Sequence, residues 1–157
     1  TLGNLIVEPF AVSHDAADPI GINVFSGNDK ATVVTDTGII SDDILHRLDD
    51  STLLVLEANY DPHMLRFGPY QPFLKQRVAS DEGHLSNEMA AQALLMMKRP
   101  DFMQVILAHR SENNNNAVLV TQTIGKMLVD GGVRIGPEMK LQHGQPNEIV
   151  SMQSVKR

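Results

Sequence analysis

The sequence has no cysteine among its 157 residues, which excludes disulfides, thiolate metal ligands and cysteine nucleophiles. Any metal would need histidine and carboxylate ligands, and the missing thiols fit a reducing compartment, so a cytoplasmic location is expected. An excess of basic charge is also lacking. Lys and Arg number 13 against 19 Asp and Glu, a net charge of -6, so a nucleic-acid contact would have to be local. No apolar run reaches the roughly 18 residues that a membrane-spanning helix needs, and the first residues lack the basic-then-apolar layout of a signal peptide. No membrane partner is expected. Position 1 is Thr rather than Met, and the chain runs at once into Leu5-Ile6-Val7, which reads as a cut through a larger protein.

What is present suits one core. With 42% hydrophobic residues, a chain of this length builds a single domain of mixed α/β type. Strands are expected at residues 4–12, 21–25 and 31–35, the last two joined by the turn Ser26-Gly27-Asn28-Asp29-Lys30. Ser41 caps a short helix to Leu48. Residues 52–56 are apolar on both faces, as in a covered strand, and end abruptly in Glu57-Ala58-Asn59-Tyr60-Asp61. Asp61-Pro62 starts a helix, and Ser86 precedes the strongest helix, residues 89–99, stopped by Pro100. Met89, Met96 and Met97 read as core filling. A strand at 105–107, the polar tract Asn113 to Asn116, a helix of about 14 residues ending before Gly131-Gly132 and two short strands complete the pattern. Strand–helix alternation from Leu53 onward favours an α/β layer structure, and the opening hairpin makes the sheet mixed.

Three polar residues stand where strands end: His14, Asp36 and His109. Strand ends on one side of a sheet converge on one pocket. Two imidazoles and a carboxylate suit Zn²⁺, Mn²⁺ or Fe²⁺, and a carboxylate can bridge two ions. Taken singly, each has a plainer reading: a hydrogen-bonded loop histidine, or an Asp-Thr-Gly turn.

The pattern as a whole resembles the metallo-β-lactamase-fold hydrolases. Thr35-Asp36-Thr37-Gly38 is similar to their aspartate motif, Ser13-His14-Asp15-Ala16 to their third motif, and Leu107-Ala108-His109-Arg110-Ser111 to their last. Glu57 and Gly83-His84-Leu85-Ser86-Asn87 resemble the paired acid and histidine of the tRNA 3′-processing endonucleases of this fold. Within the fold, the chain resembles the WalJ (YycJ) branch of bacterial DNA exonucleases, through Glu57-Ala58-Asn59-Tyr60-Asp61, Gly68-Pro69-Tyr70, Leu74-Lys75-Gln76-Arg77-Val78, Gly83-His84-Leu85-Ser86-Asn87 and the Asn tract. Arg110 departs from it, standing where a small apolar residue is commoner. The His-x-His-x-Asp-His motif that supplies most ligands of the fold is absent.

The resemblance therefore implies the C-terminal half of a four-layer αββα sandwich over residues 1–157, with a complementary N-terminal segment as partner. It implies two divalent ions, Zn²⁺ or Mn²⁺ with Fe²⁺ as a further option, held in part by His14, Asp36 and His109. The implied function is phosphodiester hydrolysis, with DNA favoured over RNA and exonuclease action expected, and this chain alone inactive. His84 is the implied proton donor, oriented by Glu57; equally, His84 and Ser86 could simply start a helix. Lys75, Arg77 and Tyr70 are candidates for gripping phosphate and stacking a base, or for a solvated helix face. The Asn tract either orders the loop beneath His109 or caps a helix. His46 and His143 lie in no motif, and His63 and Met64 read as packing or surface residues. Two other functions remain open, a noncatalytic scaffold half and a thioester or lactam hydrolase.

Overall fold

The computed structural model describes Thr1, residues 3–145 and residues 148–150. β1 (Ile6–Ala11), β2 (Ile20–Ser26) and β3 (Asp29–Val34) form an antiparallel meander. Gly27, at φ 57°, makes the tight turn from β2 to β3, a backbone state that costs glycine little. β4 (Leu53–Glu57), β5 (Met103–Ala108) and β6 (Met139–His143) then add in parallel, so the sheet runs β1-β2-β3-β4-β5-β6. This is the mixed sheet expected from the hairpin and the later strand–helix alternation.

Helices occupy each parallel crossover: α1 (Asp42–Leu48) before β4, then α2 (Pro62–Phe67), α3 (Pro72–Val78) and α4 (Asn87–Met96) before β5, and α5 (Ala117–Asp130) before β6. Strands laid down in unbroken order with right-handed crossovers place successive helices on one face. On that face Val34, Leu54, Leu56, Val105, Leu107 and Met139 are buried in one core with Ala90 and Leu94 of α4 and Val120, Ile124 and Leu128 of α5. Each fully buried Leu or Ile there contributes about 1.5–3 kcal/mol. The other face is apolar too, but no helix of the described residues covers it. By the strand register it carries Val7, Ile20 and Val33, which are 44%, 51% and 39% exposed, with half-buried Ile22, Val24, Leu53, Val55 and Ile106 alongside.

Four helix starts are fixed by their caps. Ser41, Asp61, Ser86 and Asn116 accept hydrogen bonds from the N–H groups of Ile44, Met64, Met89 and Leu119 at 3.2, 2.8, 3.2 and 3.0 Å. The strongest helix differs from expectation at both ends. It begins at Asn87 and stops at Met96, short of Pro100, because Arg99 folds back and donates to the carbonyls of Leu94 and Leu95 at 2.7 and 2.9 Å. Met96 is consequently exposed rather than core filling, whereas Met97 is buried. Of the two strands expected near the end, the described residues contain β6. Ahead of it lies a turn in which Gly136, at φ 98°, donates to the carbonyl of Met139. Among the described residues no helix is long and apolar enough to cross a membrane.

Candidate metal centre

Sheet direction decides where the polar residues gather. β1 and β3 are both antiparallel to β2 and so point the same way, and β4 and β5 run parallel to β3. The C-terminal ends of these four strands therefore share one rim, and His14, Asp36, Glu57 and His109 stand on or just beyond it. Backbone ties pull the loops together. Gly38 N–H donates to the carbonyl of Ser13 at 2.9 Å, Ser13 N–H to Thr37 Oγ1 at 3.3 Å, and Thr37 N–H to Glu57 Oε2 at 3.0 Å. His84 arrives from the loop after α3, where Asp15 N–H donates to the Glu82 carbonyl and Asn59 N–H to the Leu85 carbonyl, at 3.1 and 3.0 Å. Gly83 has to be glycine in this loop, because a Cβ would run into the carbonyls of Arg77 and Val78.

Glu57 is the buried hub, with 0% exposure. Its Oε1 accepts from Nδ1 of His84 at 2.7 Å and from Nδ1 of His109 at 2.9 Å. Burial pushes its carboxyl up, but the hydrogen bonds from His109, His84 and Thr37 outweigh burial and hold it below the ordinary carboxylate range. The same bond to Glu57 lifts His109 above the usual imidazole range against partial burial, with the charges of Glu57 and Asp36 adding to it. His14 is fixed differently. Its Nδ1 lies 3.0 Å from the carbonyl of Gly83, an acceptor only, so Nδ1 carries the hydrogen and Nε2 is left with its lone pair.

These ties turn the second nitrogens inward. Nε2 of His14 lies 3.7 Å and Nε2 of His109 3.5 Å from Oδ1 of Asp36. The His84 ring sits between the other two, its centroid 5.1 Å from that of His14 and 5.2 Å from that of His109. Ligand atoms of His14, Asp36 and His84 fall within 4.8 Å of one another, as do those of Glu57, His84 and His109. Asp36 and His109 both have positive φ, 56° and 53°, in a region that non-glycine residues seldom adopt. At His109 the strain is held by Asn59, whose Nδ2 donates to the His109 carbonyl at 2.8 Å. Imidazole lone pairs beside a carboxylate, each ring braced by a hydrogen bond at its far nitrogen, are the donor set and supporting shell that a divalent cation takes.

The structure thus brings His14, Asp36, Glu57, His84 and His109 together. Tyr70 lines a shallow cavity with His84 and His109. Lys75 does not point there: its Nζ donates to the Arg66 carbonyl at 2.8 Å. Arg77 reaches only the rim, where its guanidinium is paired with Asp15, and this hydrogen bond holds the Asp15 carboxyl below its usual range. His46 bonds Asp49 at 3.3 Å, and His63 stacks near Phe67. Both readings of the asparagine tract hold, for different residues. Asn116 caps α5, while buried Asn115 donates to the carbonyls of Ala58 and Asn59, both at 3.1 Å, and to Asn87 Oδ1 at 2.8 Å. Sequence reasoning missed the second bond of Glu57, to His109, and the bridging role of Thr37, whose place directly after Asp36 was the available sign.

Comparison with solved structures defines the class. The chain has the metallo-β-lactamase fold. It superposes on the metallo-β-lactamase fold protein YhfI from Bacillus subtilis with a TM-score of 0.60, at 13% identity, covering 90% of this chain and 48% of that one. Zn²⁺-bound PqqB from Methylobacterium extorquens gives 0.57, at 16% identity, covering 90% and 46%. Particular relatives are more alike in sequence. Exodeoxyribonuclease YycJ of Bacillus anthracis is 34% identical over 155 residues, 99% of this chain and 59% of the relative. Exodeoxyribonuclease WalJ of Streptococcus pneumoniae is 33% identical over 147 residues, 94% and 55%. The chain therefore spans a little over half the length of the curated relatives it matches. The sequence matches no protein-family model.

Proposed function

We propose that this chain is the C-terminal half of a metal-dependent phosphodiester hydrolase, an exonuclease acting on DNA, completed by an N-terminal segment of the same protein. One observation carries the reading: His14, His84 and His109 each have Nδ1 on a protein acceptor and crowd around Asp36. The exodeoxyribonuclease names of the relatives support the substrate, and the Zn²⁺ of one structural neighbour supports the metal. On this reading His14, Asp36 and His109 would hold part of a site for two divalent ions. Zn²⁺ or Mn²⁺ suits these donors, with Fe²⁺ a further option. Bound there, such ions polarise the phosphodiester and activate water at neutral pH.

The remaining chemistry belongs to His84 and Glu57. The Nδ1–H of His84 is committed to Glu57, so Nε2 can give a proton to the leaving oxygen only when the ring is doubly protonated. The buried carboxylate is the counter-charge for that state. His84→Ala in the full-length protein is expected to lower kcat on single-stranded DNA about 10²–10⁴-fold with metal content retained. Loss of metal along with activity would make His84 a ligand instead, and full activity would remove it from the mechanism. Tyr70 lines the cavity that His84 and His109 share, which supports a role for it in stacking a base.

The bare apolar sheet face supports the complementary segment, as does the 55–59% of the relatives' length that the chain spans. A sheet in a β-sandwich buries that face against a second sheet. Expressed without such a segment, this chain is expected to self-associate through the face. Sedimentation as a stable monomer would contradict the need for a cover.

A further inference from the structure

The cations that the sequence favoured for phosphate binding are already engaged, Lys75 by a carbonyl and Arg77 by Asp15. Arg110, directly after His109, is not. It lines two cavities that meet at His109. One, of about 570 Å³, is shared with Asn115, Asn116, Ala117 and Gln145, and the other, of about 290 Å³, with Tyr70 and His84. Among the described residues no carboxylate forms an ion pair with Arg110, and its buried Nη1 has no hydrogen-bond partner. An unsatisfied buried donor is costly, more so when charged, and an arriving anion would offset that cost.

The surroundings favour an anion. The first turn of α5 opens on the larger cavity and carries no acidic residue, so the positive end of a 14-residue helix is left without a counter-charge of its own. His143 on β6 adds no cation there, since burial and then the nearby Arg110 charge push it below the ordinary imidazole range. Glu112 also lines both cavities and is the carboxylate that opposes the anion.

We propose that Arg110 and the first turn of α5 form a subsite for a second backbone phosphate of the DNA strand, next to the phosphodiester held at His14, Asp36 and His109. A guanidinium suits this position because its planar fork meets two phosphate oxygens at once. The proposal rests on the nuclease reading above, and the test separates the two.

The probe is a hydrolysis-resistant phosphorothioate single strand, its binding to the full-length protein followed across a salt series. Arg110→Ala is expected to weaken binding about tenfold near 0.1 M salt and to reduce the slope of log K against log salt by about 0.7, one phosphate contact. Arg110→Lys should keep the slope and Glu112→Gln should tighten binding. Unchanged affinity and slope in Arg110→Ala would overturn the subsite, as would a slope reduced as far in Arg110→Lys, which keeps the charge and loses only the fork. In activity, Arg110→Ala should reduce kcat/KM for an oligonucleotide about tenfold more than for bis(p-nitrophenyl) phosphate, which has no second phosphate; equal reductions would also overturn it. If the wild-type protein hydrolyses neither substrate, the nuclease reading fails, while the salt slope still decides the role of Arg110.

Discussion

Asp36→Ala in the full-length protein is expected to abolish measurable hydrolysis of single-stranded DNA, a loss of about 10³-fold or more. Metal ions contribute several kcal/mol of charge stabilisation to such reactions, and each 1.36 kcal/mol is about tenfold in rate. Asp36 is the carboxylate poised between two imidazoles, 3.7 Å from His14 Nε2 and 3.5 Å from His109 Nε2, so its removal takes away the one anionic member of the three ligands proposed on this chain. Alanine also disfavours the positive φ of 56° by roughly 1–2 kcal/mol. Asparagine adopts that conformation readily, so Asp36→Asn isolates the charge. It should fold like the wild type and lose activity as Ala does. Release of nucleotides from a labelled strand at saturating metal measures both variants, and substantial turnover by either would remove Asp36 from the site.

Glu57→Gln should damage the site without touching any residue that faces the open cavity. The carboxylate receives three donors, from Thr37, His84 and His109. An amide offers one acceptor oxygen, so whichever way it is turned at least one of these N–H groups meets an NH₂, a cost of about 1–3 kcal/mol. If the histidines respond by moving their hydrogens to Nε2, they lose the lone pairs that face Asp36. Metal affinity is then expected to fall about 10–100-fold, the usual effect of losing such a supporting partner. Glu57→Ala leaves all three donors without an acceptor and should destabilise further, by roughly 3 kcal/mol or more. Denaturant unfolding and metal content report the two effects. A glutamine variant with wild-type stability and metal content would contradict the hub assigned to Glu57.

How much of this could be read from the sequence depends on the range of the interaction. The β2–β3 hairpin, the caps at Ser41, Asp61 and Ser86, and the strand ends at His14, Asp36 and His109 are local signals, visible in turn residues, capping types and apolar runs. The end of α4 carries no such signal, because the cap on its last carbonyls is the long side chain of Arg99 just beyond the helix, and no capping residue type announces it. Helix α3 is short, and its residues Leu74 and Val78 find their partners in Tyr60, Leu65 and Tyr70 only once the chain has folded. The same limit applies at the site. Pairing His84 with Glu57 came through a family likeness, yet nothing near Glu57 in sequence tells that it also holds His109, 52 residues away. Arg77 looked available beside Lys75 because its partner, Asp15, lies 62 residues upstream. Arg110 looked like a minor departure until the cavities on either side of it were seen.

Anomalous diffraction from crystals of the full-length protein loaded with Zn²⁺ or Mn²⁺ tests the arrangement most directly. Strong peaks are expected about 2.0–2.2 Å from Nε2 of His14, Nε2 of His109 and a carboxylate oxygen of Asp36, with Nδ1 of His109 still on Glu57. Peaks bound elsewhere, or none within reach of these three side chains at saturating metal, would contradict it.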